Sequence, residues 1–265
     1  MTKIISIQST VLNDLVGNQA ARYILSPRKY DFYEIPTIIL TSHKAHKNSV
    51  QLNDANINTW KILNSLKKTY SLQKNDFTII GYIPNLSSTG AIKKIISSQK
   101  KILLDPVMGD VGVGLYISKD VANFFKRMIS KVPYISANFF EWSYLNNKND
   151  HEYSLSVLIE DLKNFSKKNK STLFIRSVPY KKKLLNILCN GNEVWGIATP
   201  YINFKTRFHG AGDLTTALFA DQLIQKKSLQ KMLENITKEI YSFLIKSQKK
   251  SSNRVAFKAR NLSNL

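Results

Sequence analysis

Short apolar runs rich in β-branched residues alternate along the chain with longer segments whose apolar positions recur every three to four residues. Ile4–Gln8, Thr37–Leu40, Phe77–Tyr82, Ile102–Asp105, Tyr134–Ala137 and Leu173–Arg176 read as strands. Val16–Leu25, Ile57–Thr69, Ser88–Ser98, Lys119–Ser130, Phe139–Asn146 and Leu155–Lys168 read as helices. Strand and helix thus take turns, and a helix between two strands is the usual crossover that lets them pair in parallel. The pattern predicts an α/β fold with a mainly parallel central sheet and helices on both faces. In such sheets ligands lie beyond the carboxyl ends of the strands. After Arg176 the alternation changes: Leu184–Asn190 and Glu193–Ala198, separated by Gly191-Asn192, read as an antiparallel hairpin. A helix-periodic run opening at Asp213 and a last helix over Leu229–Ile245 follow. We expect a single domain over 1–250 and a polar, loosely held tail over 251–265; no internal repeat or linker interrupts the pattern.

At 265 residues and 43% hydrophobic content the chain can bury a substantial core. Lys+Arg of 39 against Asp+Glu of 18 leaves a formal net charge of +21, which attracts anions such as nucleotides. The charge is mostly lysine in scattered clusters, such as Lys67-Lys68 and Lys181–Lys183, without the interleaved aromatics of a nucleic-acid surface. It reads as a solvated face, and nucleic acid is not an expected partner. Cys189 is the only cysteine, so no intrachain disulfide can form, and it reads as a small core residue. No run of about 18 apolar residues exists, and the N-terminal apolar run is too brief for a signal peptide. A cytoplasmic protein with no membrane association is expected.

The candidate chemistry concentrates at Phe208-His209-Gly210-Ala211-Gly212-Asp213, just before the apolar helix. Small residues let the backbone turn sharply, and the amides around Gly210, Ala211 and Gly212 can point into one concavity at the positive end of a helix dipole. That arrangement binds phosphate. Asp213, a carboxylate at the lip of such a pocket, is repelled by the bound anion unless it has a task such as taking a proton from an attacking hydroxyl. The alternative is a tight turn with Asp213 as a capping residue.

Further candidates stand at predicted strand ends. Ser9 follows the first strand, Thr41 and His43 the second, and Tyr82 ends the third; the hydroxyls and His43 can hydrogen-bond a small polar substrate, and Tyr82 can stack on a flat ring. Asp105 and Asp110, in Asp105-Pro106-Val107-Met108-Gly109-Asp110, can orient the waters of Mg²⁺ or counter a basic group. Asn138 and Glu141 are spaced to face one cavity, and equally to form a capping box.

Taken together, Ile7-Gln8-Ser9, Val16-Gly17-Asn18, Gly81-Tyr82, the Asp105–Asp110 run, Asn138-Phe139-Phe140-Glu141 and Gly210–Asp213 resemble the pyridoxal kinases of the ribokinase superfamily over almost the whole chain. The resemblance implies a ribokinase-like three-layer sandwich, a homodimer, and an ATP- and Mg²⁺-dependent kinase whose small-molecule substrate is pyridoxal, phosphorylated on its 5′-hydroxymethyl group. It implies Asp213 as general base, Gly210, Ala211 and Gly212 as anion hole, and Asp105, Asp110, Asn138 and Ser177 on the nucleotide side. Ser9, Thr41, His43 and Tyr82 would meet the vitamer, and Glu141 with Asp105 would meet the metal. A kinase of hydroxymethylpyrimidine shares every phosphate-side residue, and a catalytically impaired ligand-binding descendant is the other alternative. The chain departs from the family at Lys44, which stands where a substrate-side hydroxyl is usual, and after the sixth strand, where a hydroxyl-rich segment is reduced to Ser177.

Overall fold

The computed structural model describes residues 1–52, 57–148, 153–204, 208–248 and 259–264. The strands are β1 (Lys3–Val11), β2 (Asp31–Leu40), β3 (Phe77–Ile80), β4 (Lys101–Leu104), β5 (Gly109–Asp110), β6 (Gly114–Leu115), β7 (Tyr134–Asn138), β8 (Thr172–Tyr180), β9 (Lys183–Asn190), β10 (Glu193–Pro200) and β11 (Arg260–Asn261). The α-helices are α1 (Asn18–Leu25), α2 (Thr59–Tyr70), α3 (Leu86–Ser98), α4 (Lys119–Met128), α5 (Phe139–Leu145), α6 (Leu155–Asn169), α7 (Ala211–Ile224) and α8 (Leu229–Ser247). Nine strands form one sheet in the order β11-β10-β9-β8-β7-β4-β3-β1-β2. Strands β2, β1, β3, β4, β7 and β8 run parallel, and β9, β10 and β11 extend the sheet antiparallel. The expected parallel sheet with a terminal hairpin is therefore present.

The alternation of side chains along a strand splits the core into two layers. On one face Ile5, Ile7, Ile102, Leu104, Ile135 and Ile175 pack with apolar residues of α2 to α6. On the other Ile4, Phe77, Ile79, Leu103, Phe174 and Leu188 pack with α1, α7 and α8. Helix α7 is buried from Leu214 to Gln222, so it is apolar around most of its circumference, as a helix packed on all sides must be. Carrying the same alternation forward places Asp105 after Leu103, Ser136 after Tyr134 and Arg176 after Phe174 on the α7 face. The α7 face of the sheet therefore changes from apolar to polar at its carboxyl edge. The chain's path reverses between β1 and β3, since β2 is added on one side and β3, β4, β7 and β8 on the other. That reversal opens the crevice at which an α/β sheet takes its ligand.

Three elements depart from the expectation. β2 begins at Asp31, earlier than Thr37; its first four residues are only half-buried and carry no apolar run. A small hairpin, β5 and β6, follows Asp105. The expected loose tail lies outside the described residues up to 258, but Arg260–Asn261 pairs with β10 and Ala259 is buried. Cys189 sits in β9, fully buried and free.

Candidate active site

A cavity of about 780 Å³ opens where β1, β4, β7 and β8 end and α7 begins. Its wall includes Ser9, His43, Tyr82, Asp105, Asp110, Asn138, Glu141, Ser177 and the whole turn Gly210–Asp213. Residues spread over 205 sequence positions, predicted separately from strand ends and one turn, thus meet in one space. Thr41 is the exception. Its hydroxyl accepts from the amide of Val50 at 2.9 Å while its own amide donates to the Val50 carbonyl at 2.9 Å, which ties off the base of the loop 42–49 rather than facing the cavity.

That loop carries His43 and Lys44. The amide of His43 donates to Asp14 Oδ2 at 2.6 Å and its ring stacks on His209 at 3.9 Å, so the loop lies against the turn that leads into α7. Lys44 points at Tyr82, with Nζ 3.4 Å from the phenolic oxygen and 5.7 Å from the ring centroid. His46, not Lys44, stands beside the Asp14 carboxylate, at 3.7 Å.

The α7 turn is held by a second turn packed against it. Gly210 caps the helix at φ 92°, a left-handed conformation that glycine adopts without strain. A Cβ there would stand 2.0 Å from the carbonyl oxygen of Leu15. Among the described residues the amides of Ala211 and Gly212 make no hydrogen bond, as expected for the first turn of a helix that faces a ligand site. Hydrogen bonding from the N–H of Gly17 and from its own amide favours the ionised form of the Asp213 carboxylate. Burial, reinforced by the charge of Asp105, pushes the Asp213 carboxyl up to about 7, against those two hydrogen bonds and the opposing pull of Arg176. A carboxyl poised there is half-ionised near neutrality, which suits a general base.

Behind this turn lies a buried polar cluster. Asp105 Oδ1 accepts from Arg176 Nη2 at 2.9 Å and Oδ2 accepts from the Thr216 hydroxyl at 2.5 Å; Thr216 and Ser136 share a further contact at 2.9 Å. Glu141 Oε1 accepts from the Met108 amide at 3.1 Å and Oε2 from the Asn138 amide at 2.7 Å, and Oε2 is 3.7 Å from Arg176 Nη2. One guanidinium cannot balance two buried carboxylates. Burial accordingly raises the pKa of both Asp105 and Glu141, with Arg176 opposing the rise in each. Asn138 and Glu141 form the complete capping box of α5, and Glu141 also pins the Asp105–Asp110 run through Met108.

The two expected metal contacts, Asp105 and Glu141, both lie in this cluster. All four carboxylate oxygens of Asp105 and Glu141 already accept protein donors. Among the described residues no cluster of three or more His, Cys, Asp or Glu could hold a metal ion. Asp105 meets the other sequence reading, countering a basic group, through Arg176. The donor set still suits Mg²⁺ carried in by phosphate oxygens and its own waters, because Mg²⁺ needs only one or two protein carboxylates at its rim. Asp110, half-exposed on the cavity wall, accepts from Asn138 Nδ2 at 3.2 Å.

Arg176 is the residue that sequence reasoning passed over, taking it only as the end of a strand. Two backbone irregularities aim the site, and neither shows as an apolar pattern: β1 shifts register between Gln8 and Thr10, presenting Ser9, and β8 shifts between Ile175 and Val178, presenting Arg176 and Ser177. Ser177 adopts φ 58°, its amide held by Asn186 Oδ1 at 3.0 Å.

A model of the phosphomethylpyrimidine kinase family matches residues 39–254. The Saccharomyces cerevisiae protein BUD17 is 27% identical over 243 residues, 84% of this chain and 74% of that one. Pyridoxal kinase PdxY of Corynebacterium diphtheriae is 22% identical over 253 residues, 91% of this chain and 88% of that one. Among solved structures, Plasmodium falciparum PdxK with AMP-PNP and PL superposes with a TM-score of 0.83 at 21% identity, covering 98% of this chain and 99% of that one.

Proposed function

The chain belongs to the phosphomethylpyrimidine kinase family, and on that premise we propose that it transfers the γ-phosphoryl group of ATP to the 5′-hydroxymethyl of pyridoxal. The observation that carries the reading is the pairing of Asp213 with the open amides of Ala211 and Gly212 on one cavity wall. Asp213 accepts the proton of the attacking hydroxyl while the two amides hold oxygens of the phosphoryl group as charge develops on them. Mg²⁺ bound with the nucleotide supplies charge neutralisation at the phosphates. Ser9, His43 and Tyr82, on the β1 and loop side of the cavity, meet the vitamer ring; Asp110, Asn138 and Ser177 lie on the nucleotide side.

The vitamer is favoured by PdxY, which is named a pyridoxal kinase, and by the nucleotide analogue and PL bound to PdxK. The family description favours hydroxymethylpyrimidine, whose phosphorylation needs the same phosphate-side residues. Family analogy further supports a homodimer acting in the cytoplasm. Among the described residues, no helix is long and apolar enough to cross a membrane.

Incubating the purified chain with ATP and Mg²⁺ against pyridoxal, pyridoxine, pyridoxamine and hydroxymethylpyrimidine, with products resolved chromatographically, separates the readings. Pyridoxal 5′-phosphate and ADP in equal amounts are expected. Phosphorylation of the pyrimidine alone would move the chain to the second reading.

A further inference from the structure

We propose that Asp14 is a positioning residue for the acceptor alcohol: it clamps the loop 42–49, which carries His43 to the cavity wall, onto the same short turn that holds Asp213. The inference rests on the kinase reading above for which substrate lies against the loop, and on the contacts of Asp14 for the clamp.

Residues 44–48 are exposed, and His43, Lys44 and Ala45 line the cavity. The loop closes on itself. The Ser49 hydroxyl donates to the Ser42 carbonyl at 2.6 Å, and the amides of His46 and Ser49 donate to the carbonyls of His43 and His46 at 2.9 and 3.0 Å. Those bonds shape the loop without fixing how it leans on the cavity. Contacts outside the loop do that. His43 donates its amide to Asp14 Oδ2 at 2.6 Å, and His46 Nε2 stands 3.7 Å from the same oxygen. One oxygen thus reaches both ends of the turn 43–46. An amide bonded to a carboxylate is held more strongly than one bonded to a neutral carbonyl. The pair with His46, a residue 58% exposed, contributes little by comparison. The His43 amide is the point of hold.

The other end of the clamp identifies what it aligns. Residues 12–14 run beside the base of the loop in step with it: Leu12 donates its amide to the Leu40 carbonyl at 2.9 Å, Asn13 Nδ2 donates to the Thr41 carbonyl at 2.9 Å, and Asp14 accepts from His43. The chain then turns tightly, with the Val16 amide donating to the Asp14 carbonyl at 2.9 Å, and the N–H of Gly17 bonds the Asp213 carboxylate. One short segment therefore grips both the loop wall that meets the acceptor and the carboxylate that takes its proton. Asp14 is not itself on the cavity wall, so it acts through His43. A hydroxyl must lie within hydrogen-bond reach of its base, so a slack loop weakens the acceptor and leaves the nucleotide side undisturbed.

Initial rates with pyridoxal and ATP varied in turn, and amide hydrogen exchange of a peptide covering 41–50, are measured on the wild type, Asp14→Ala, Asp14→Asn and His46→Gln. Asp14→Ala is expected to raise KM for pyridoxal about tenfold, with KM for ATP changed by less than about twofold. Exchange across 41–50 should quicken by about tenfold as the loop opens more often. Asp14→Asn keeps an oxygen that accepts from the His43 amide, and should return KM for pyridoxal to within about threefold of the wild type. His46→Gln leaves that amide bond intact and should change it by less than about twofold. Loop exchange unchanged in Asp14→Ala overturns the clamp. So does faster exchange at an unchanged KM for pyridoxal, or a rise in KM shared equally by pyridoxal and ATP, which marks general loosening. A loss in Asp14→Asn or His46→Gln as deep as in Asp14→Ala overturns the His43 amide as the point of hold. If hydroxymethylpyrimidine proves to be the acceptor, its KM takes the place of that for pyridoxal. A chain that phosphorylates neither alcohol, yet shows the faster loop exchange in Asp14→Ala, counts against the kinase reading and leaves the clamp in place.

Discussion

The elevated pKa of Asp213 makes a quantitative demand on the pH dependence of turnover. The base is the ionised form, so activity requires loss of the proton. With a carboxyl pushed up to about 7 from an ordinary 3.8, the ionised fraction is ~9% at pH 6 and ~91% at pH 8, a roughly tenfold rise. An unperturbed aspartate would be over ~99% ionised at both values, and the profile would be flat. The cause is burial first and the Asp105 charge second, so the shift belongs to the folded site and not to the sequence neighbours. The appropriate quantity is kcat/KM for ATP at saturating pyridoxal, followed from pH 5 to 9, so that titration of the free vitamer drops out. Stability must move the opposite way. Between about pH 4 and 7 the folded state holds a proton that the unfolded state has released, so stability falls as pH rises through that window and levels off above it. The limit of this term is about 4 kcal/mol, from a shift of roughly three units, and Glu141, also raised by burial, acts in the same direction. A flat rate profile from pH 5 to 8, or an inflection near 4, would refute the reasoning.

Three further outcomes are expected. Gly210→Ala forces a Cβ to 2.0 Å from the Leu15 oxygen at φ 92°, and should destabilise by ~3 kcal/mol or more, a fall in Tm of about 6 °C or more by calorimetry; an unchanged Tm would contradict the turn-on-turn packing. Thr216→Val removes the donor to Asp105 Oδ2 without changing shape, and should cost about 1 to 3 kcal/mol in urea unfolding, because a buried carboxylate oxygen is left unpaired. Lys44→Thr should tighten pyridoxal binding by about ten- to a hundredfold and leave ATP affinity alone, since a lysine over Tyr82 donates but cannot accept a hydrogen bond from the vitamer. Abolished binding would instead make Lys44 a substrate contact.

What could be read from the sequence was what periodicity and end-of-strand placement control. The parallel core strands are apolar runs, so their existence and order were visible, and with them the carboxyl edge where Ser9, Asp105, Asn138 and Ser177 gather. The start of β2 was not, because an edge strand half open to solvent needs no apolar run, and β11 consists of two exposed residues whose place is decided by pairing with β10. Thr41 lies off the cavity wall for a related reason: its hydroxyl serves a backbone partner nine residues on, which no local pattern announces. The residue types of Glu141 and Asp105 were visible in the sequence, but the donors that reach each carboxylate were not. Here those donors are Met108, Asn138, Thr216 and Arg176. Arg176 itself had one available signal, a charged residue closing an otherwise apolar strand, the same signal that singled out Asp105.

In the proposed reaction Asp213, at the mouth of α7, removes the proton from the hydroxyl that takes the phosphoryl group. Asp213→Asn preserves size and hydrogen bonding while removing proton acceptance. Formation of pyridoxal 5′-phosphate by this variant, measured beside its ATP affinity, tests the claim most directly. Turnover lower by ~10² to 10⁴ is expected, with ATP bound as in the wild type. Turnover within a few fold of the wild type would contradict it.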